Sequence, residues 1–194
     1  LDGVPLTLKL AAARVRLLGT TELLARMGSG LVLLTGGARD QAPRLRSMRA
    51  AVSWSHDLLA PSEQALFRRL AVFSGGFTLD SAERVIGKIQ KAAVPGAPSS
   101  FLPVLDAVAS LADKSLLQRL DVDSSEPRFG MLGTIQEFGH EQLLAAGEED
   151  VVKGAHAAYF LALAEQAWPA FRQRAGQDPW LDRLEVERGN FRVA

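Results

Sequence analysis

The chain has 194 residues, of which 47% are hydrophobic and 23% charged; 22 basic side chains balance 22 acidic ones, and there is no cysteine. This is a globular composition, without a disulfide framework or a thiolate metal site, and without the basic excess by which dedicated nucleic-acid binders neutralise phosphates. The length suits one large domain or a central domain with pieces of two neighbours, and no apolar run approaches the ~20 residues of a membrane span.

Residues 4–18 (VPLTLKLAAARVRLL) have two apolar stripes, Leu6/Leu10/Ala13/Leu17 and Leu8/Ala12/Val15, and read as a helix buried on more than one side. Gly19 ends it. Thr20 or Thr21 can cap a shorter helix through Met27, closed by Gly28-Ser29-Gly30, and Leu31–Leu34 is a short apolar run. The polar stretch Gly36–Pro43 is the first expected boundary, which makes residues 1–38 a small helical piece with too little core to stand alone.

A helix is expected over about 44–59, with Leu45, Met48, Val52 and Leu59 on one face and Ala51, Trp54 and Leu58 beside them. Pro61 fits the first position of a helix over 61–72, whose cap residue, Ala60, offers no side-chain acceptor. The FSGGF turn at 73–77 follows, and Thr78 is the expected cap of a helix over 79–87. Gln90–Ser100 reads as a loop and 101–113 as a helix. Two apolar runs, Ser115–Val122 and Arg128–Leu132, flank a Ser/Asp/Pro turn and predict a β-hairpin. Thr134 and Glu137 supply a T-x-x-E capping box for a helix reaching Ala146. Helices, a hairpin and a closing helix are the order of a winged helix-turn-helix, so residues 39–147 are read as that domain within a mainly α chain.

Gly147 is the second expected boundary. Residues 148–194 predict a long helix over 149–167, broken at Pro169, and a last helix from Asp178-Pro179 with Leu181, Leu184 and Phe191 facing inward. The pair resembles the opening of a helical-repeat array. The chain starts on Leu1 and stops within a helical pattern, which reads as part of a longer polypeptide; no signal peptide is visible, and the lack of cysteine fits a cytoplasmic location.

Catalytic chemistry is not expected. No G-x-x-x-x-G-K-[ST] loop or G-x-S-x-G turn is present, and Gly28-Ser29-Gly30 and Gly36-Gly37 lack the lysine of a phosphate-binding loop. His56, His140 and His156 fall on separate helices without metal-ligand spacing, and read as surface or half-buried histidines. DNA recognition by a winged helix uses the helix before the hairpin, with Arg, Lys, Asn or Gln reaching base edges. Here that helix is FLPVLDAVASLADK, a packing sequence whose charges are Asp106, Asp113 and Lys114. The wing carries Asp121, Asp123 and Glu126 against Arg119 and Arg128. Arg44, Arg46, Arg49, Arg68 and Arg69 form the one candidate basic patch, read first as a solvated face or a contact to an acidic partner, and alternatively as a phosphate contact.

Several stretches resemble bacterial STAND regulators of the NB-ARC, AfsR and LuxR-like kind. LDGVPLTLKLAAARVRLL is similar to the end of their nucleotide-binding module. LRSMRAAVSWSHDLLAPSEQALFRRLAVFSGGFTLDSAERV, LADKSLLQRL and RFGMLGTIQEFGHEQL are similar to their winged-helix domain. HAAYFLALAEQA and WLDRLEVERGNFRVA resemble the start of their TPR-like repeats. The resemblance implies a non-catalytic regulatory module that packs on an intramolecular nucleotide-binding domain and controls its ADP/ATP switch. The helical repeats would be its other partner, and Gly36–Pro43 the hinge. No cofactor is expected in this segment alone; ADP or ATP would belong to the parent protein. By resemblance Pro5 lines the adenine side, with Gly3 shaping the turn, and Leu132 stands where the family places a histidine on the β-phosphate. A DNA-binding winged helix of a transcription factor remains the alternative reading.

Overall fold

The computed structural model describes residues 48–91, 103–120, 126–173 and 177–194. In chain order these are α1 (Met48–Asp57), α2 (Pro61–Leu70), β1 (Phe77–Thr78), α3 (Leu79–Lys91), α4 (Val104–Asp113), β2 (Gln118–Leu120), β3 (Arg128–Gly130), α5 (Gly133–Ala145), α6 (Glu149–Gln173), α7 (Gln177–Val186) and α8 (Arg188–Val193). The expected piece at 1–38, the hinge, Arg44, Arg46, Gly3 and Pro5 lie outside the described residues, as do the centre of the 90–100 loop and the tip of the wing.

α2 is the hub. Ala65, Leu66, Phe67 and Leu70 are all buried, and the helix packs on both α4 and α5. Ala60 makes no side-chain cap bond, and only the reciprocal half of a capping box forms: the Glu63 side chain accepts the Ala60 backbone N–H at 2.8 Å. α1 buries Met48, Val52 and His56, one per turn, and turns Trp54 outward at 49% exposure, with Leu58 just past its end 61% exposed. α3 is capped as expected: the Ser81 N–H donates to Thr78 Oγ1 and the Thr78 N–H to Ser81 Oγ. It runs past Gly87 to Lys91, further than the sequence suggests. A glycine inside a helix weakens it by about 1 kcal/mol without ending it, and the buried Val85, Ile86 and Ile89 hold this one together.

The hairpin forms as expected, but the sheet has a third strand, in the order β1-β3-β2, all antiparallel, with Phe77 opposite Phe129 and Arg119 opposite Phe129 on the other side. The two glycines of FSGGF create it. Gly75 and Gly76 have φ of +87° and +91°, and a Cβ on Gly76 would stand 2.7 Å from the Phe129 carbonyl oxygen. A glycine pair therefore lets the chain close onto β3 where sequence periodicity shows only a turn.

Three other expectations are corrected. α5 starts at Gly133 with Leu132 at its cap, so Thr134 lies within the first turn and its hydroxyl has no hydrogen-bond partner; the T-x-x-E box does not form. α6 runs through Pro169 to Gln173. The carbonyl that this proline deprives of a partner belongs to the exposed Glu165, where water can reach it. Leu181 is 50% exposed, whereas Leu184 and Phe191 are half-buried.

The hydrophobic core does not stop at Gly147 (φ +66°), which turns the chain from α5 into α6. Val152, Tyr159, Phe160 and Leu163 of α6 belong to the same buried cluster as Phe67, Phe73, Phe77, Ile86 and Leu111. α6 lies against α3, and α7 and α8 pack back on α6. No helix among the described residues is long and apolar enough to cross a membrane.

Candidate functional site

α4 occupies the place of the recognition helix. Its Ala107, Val108 and Leu111 point into the core, which leaves Leu105, Asp106, Ala109 and Asp113 on the exposed face. Leu105 is 54% exposed. Neither aspartate forms an ion pair among the described residues. The cation at the end of the helix is turned back: Lys114 Nζ donates to Glu63 Oε1 at 2.9 Å and to Ser110 Oγ at 2.6 Å, while Ser110 Oγ also donates to Glu63. Burial alone would raise the Glu63 carboxyl. The bonds from Ser110, Lys114 and the Ala60 N–H outweigh it and hold Glu63 below its ordinary value. The exposed face is thus apolar and acidic, with no group able to donate to a purine edge or a phosphate.

Of the candidate basic patch the structure describes Arg49, Arg68 and Arg69, and each of the three is paired with a glutamate. Arg68 Nη2 donates to Glu148 Oε1 at 2.8 Å, and Arg69 Nε to Glu148 Oε2 at 2.8 Å, so one carboxylate at the start of α6 takes two arginines of α2. Arg69 has no exposed surface. Burial pushes the Glu148 carboxyl up, but the bonds from Arg69 and Arg68 prevail and lower it to about 2. Arg49 bonds Glu141 at 2.8 Å in an exposed pair. The acidic partner considered for these arginines is therefore present within the chain itself, in two glutamates that follow the wing.

A second buried ionic group fixes the C-terminal helices to the sheet. Arg128, on β3, bonds Glu187 through Nη1 at 2.5 Å and Nη2 at 3.1 Å, and donates to the Gly76 carbonyl at 3.1 Å. Asn190, with no exposed surface, donates to the same carbonyl at 2.9 Å and to Glu187 at 2.6 Å, and accepts the Ser74 N–H at 2.8 Å. Gly189 permits this approach, since a Cβ there would stand 2.4 Å from the Ser74 carbonyl oxygen. His156 is fully buried against Phe73 and Phe160, contrary to the surface or half-buried expectation, with Nε2 3.4 Å from Asn190 Oδ1. Its Nδ1 has no hydrogen-bond partner among the described residues, and burial lowers its pKa. Nothing in the sequence points to Glu148, Glu187 or Asn190, because their partners on α2, β3 and the Ser74–Gly76 turn lie 59 to 116 residues away.

Of the residues drawn from the family resemblance, the structure describes Leu132. It is half-buried against the core at the start of α5, as Met131 is beside it, and an isobutyl group offers no donor to a phosphate. Among the described residues no group of His, Cys, Asp or Glu could hold a metal ion.

Residues 59–144 match the family described as "Winged helix-turn-helix domain", and the helix–strand–helix–helix–hairpin order of α2 to β3 is that fold. The whole chain is 38% identical to a Mycobacterium tuberculosis H37Rv protein named "Putative HTH-type transcriptional regulator", and equally to a so-named protein of Mycobacterium bovis; it spans 21% of each. A second M. tuberculosis H37Rv protein, named "Uncharacterized protein", is 36% identical over 156 residues, 78% of this chain and 37% of that protein. The chain thus spans about a fifth of the curated transcriptional regulators it matches. No solved structure matches.

Proposed function

We propose that this chain is a non-catalytic regulatory segment of a transcriptional regulator, and that its winged helix works by contacting protein. The observation that carries the second half is the exposed face of α4, made of Leu105, Asp106, Ala109 and Asp113, together with the neutralisation of Arg68 and Arg69 by Glu148. A base-reading helix needs donors on that face, and a phosphate-binding surface needs cations that are free to leave their partners. The names of the relatives support the first half. On the family resemblance, the contacted protein would be a nucleotide-binding domain in the same polypeptide, whose ADP/ATP state this segment regulates; the whole protein, not this segment, would hold the nucleotide.

A second reading is a DNA-binding winged helix. The matched family and the words "HTH-type transcriptional regulator" favour it, and they lend it more support than they lend to the nucleotide switch. Fluorescence anisotropy of labelled duplex DNA, titrated with the chain at low salt, separates the two. The protein-contact reading expects no binding up to about 100 μM, the weak edge of non-specific affinity. Saturable binding that falls steeply with added salt would put the DNA-binding reading in its place.

A further inference from the structure

The exposed face of α4 is specific in its chemistry. At helical spacing Leu105 and Ala109 form an apolar ridge, and Asp113 and Asp106 border it on one side. Two carboxylates that form no ion pair among the described residues, beside a half-exposed leucine, fit an amphipathic segment whose apolar stripe is edged with cations.

The chain's own charge distribution supplies such a segment. Residues 1–47 contain seven basic side chains and three acidic ones, whereas residues 48–194 contain 15 basic and 19 acidic. The overall neutrality of the chain therefore conceals a basic N-terminal quarter and an acidic remainder. Within the N-terminal part, the Leu6/Leu10/Ala13/Leu17 stripe of the sequence-predicted helix has Lys9 and Arg16 roughly 70–90° to one side and Arg14 roughly 70° to the other, at about 100° per residue. Both sets of cations are close enough to the stripe to meet acids that edge an apolar ridge.

We infer that residues 4–18 dock on the Leu105/Asp106/Ala109/Asp113 face of α4, so that the surface which reads DNA in other winged helices is here the seat of the chain's own basic N-terminal segment. The inference rests on the protein-contact reading and names the partner. It gives the two aspartates a function, and it makes neutralisation of the face a condition for any anionic molecule to approach it.

The five lysines make a direct test. Lys9 is the only lysine in residues 1–47; Lys114 sits at the end of α4, and Lys88, Lys91 and Lys153 lie on α3 and α6. A short amine-reactive cross-linker applied to the whole monomeric chain, followed by peptide mass spectrometry, should give Lys9–Lys114 at several times the yield of Lys9–Lys153. The D106R/D113R variant should lower that yield several-fold. Adding R14E/R16E to it should bring the yield back, which a general loss of folding would not allow. A Lys9 that links to no lysine, that links evenly to Lys88, Lys114 and Lys153, or that is not restored by the charge exchange overturns the inference. If the link is absent and DNA is also not bound, only this inference fails; if DNA is bound, the protein-contact reading fails first.

Discussion

Glu148 shows how much a single side chain can hold. Its carboxylate takes four hydrogen bonds from Arg68 and Arg69 at 2.8 to 3.2 Å, and Arg69 has no route to water. Removing the charge breaks the buried Arg69–Glu148 ion pair, and breaking such a pair from one side typically costs about 3–5 kcal/mol. E148Q, which keeps the shape, is therefore expected to lower unfolding stability by about that amount in urea titrations, far more than E141Q at the exposed Arg49 pair, where about 0–1 kcal/mol is expected. A loss for E148Q no larger than for E141Q would mean that the pair is not closed in solution. Glycines give a second test, in which the sign itself is the prediction. A Cβ on Gly139 would stand 2.7 Å from the Cβ of Ala71, a methyl fixed by its own backbone, whereas one on Gly154 meets nothing within 4 Å. Helix propensity alone favours alanine over glycine at both sites, by about 1 kcal/mol. G154A should thus raise the thermal midpoint, and G139A should lower it, since overpacking costs about 1–3 kcal/mol. Neither the Glu148 clamp nor the Gly139 contact can be read from sequence. Glu148 stands in a run of three acids at the start of a helix, where acids are common for local reasons, and its partners are 79 and 80 residues away.

At the scale of elements, periodicity located α1 to α5 to within a few positions, whereas α6 runs six residues past its expected end and one expected last helix is two, α7 and α8. The errors came where one residue carries the signal. Thr134 has the sequence of a cap, but Leu132 takes that position. Pro169 has the sequence of a break, but it falls on an exposed turn of the helix, where the unpaired carbonyl of Glu165 is open to solvent. β1 is two residues long and depends on two glycines, so no alternation could announce it. The candidate site was legible in part. The acidity of α4 is plain in its sequence, and the structure adds that both aspartates face outward and that Lys114 is turned back on Glu63. The docking of α7 and α8 was legible in the apolar Leu184 and Phe191 but not in its polar part, which depends on Glu187 and Asn190. Asn190 joins the Ser74–Gly76 turn to Glu187 through three hydrogen bonds between 2.6 and 2.9 Å. N190A leaves the Ser74 N–H and part of Glu187 unsatisfied in the interior, at about 1–3 kcal/mol for each buried group. Hydrogen exchange should show faster exchange in α7, α8 and the Ser74 amide, with α2 and α4 unchanged at low denaturant. Uniform acceleration across the chain would instead mean that α7 and α8 have no separate opening.

For the molecule as a whole, the buried cluster that runs from α2 through the sheet to α6, closed by Glu148 at one end of the α6–α7 pair and Glu187 at the other, couples the winged helix to the C-terminal helices. A force applied to those helices would reach the wing strand through Arg128 directly. The same interior makes the fold sensitive to mild acid. His56, His140 and His156 are all held below the ordinary histidine value, with burial the leading cause in each. A histidine with a lowered folded-state pKa binds its proton more readily in the unfolded chain. Its contribution to stability is therefore complete above the unfolded value of about 6.5 and is lost as the pH falls through it. Glu148, lowered to about 2 in the fold, acts in a separate and lower window: its contribution is complete above about 4.5 and is lost as the pH falls toward 2. The urea midpoint should accordingly decline as the pH falls through about 6.5, and decline further as it falls below about 4.5. Replacing His156, the most buried of the three, with glutamine should make the upper slope shallower and leave the lower one intact. If the upper decline were the same in H156Q, protonation at His156 would not be what opens the interior; if the lower decline were missing, the Arg68–Glu148–Arg69 group would not be contributing as an ion pair.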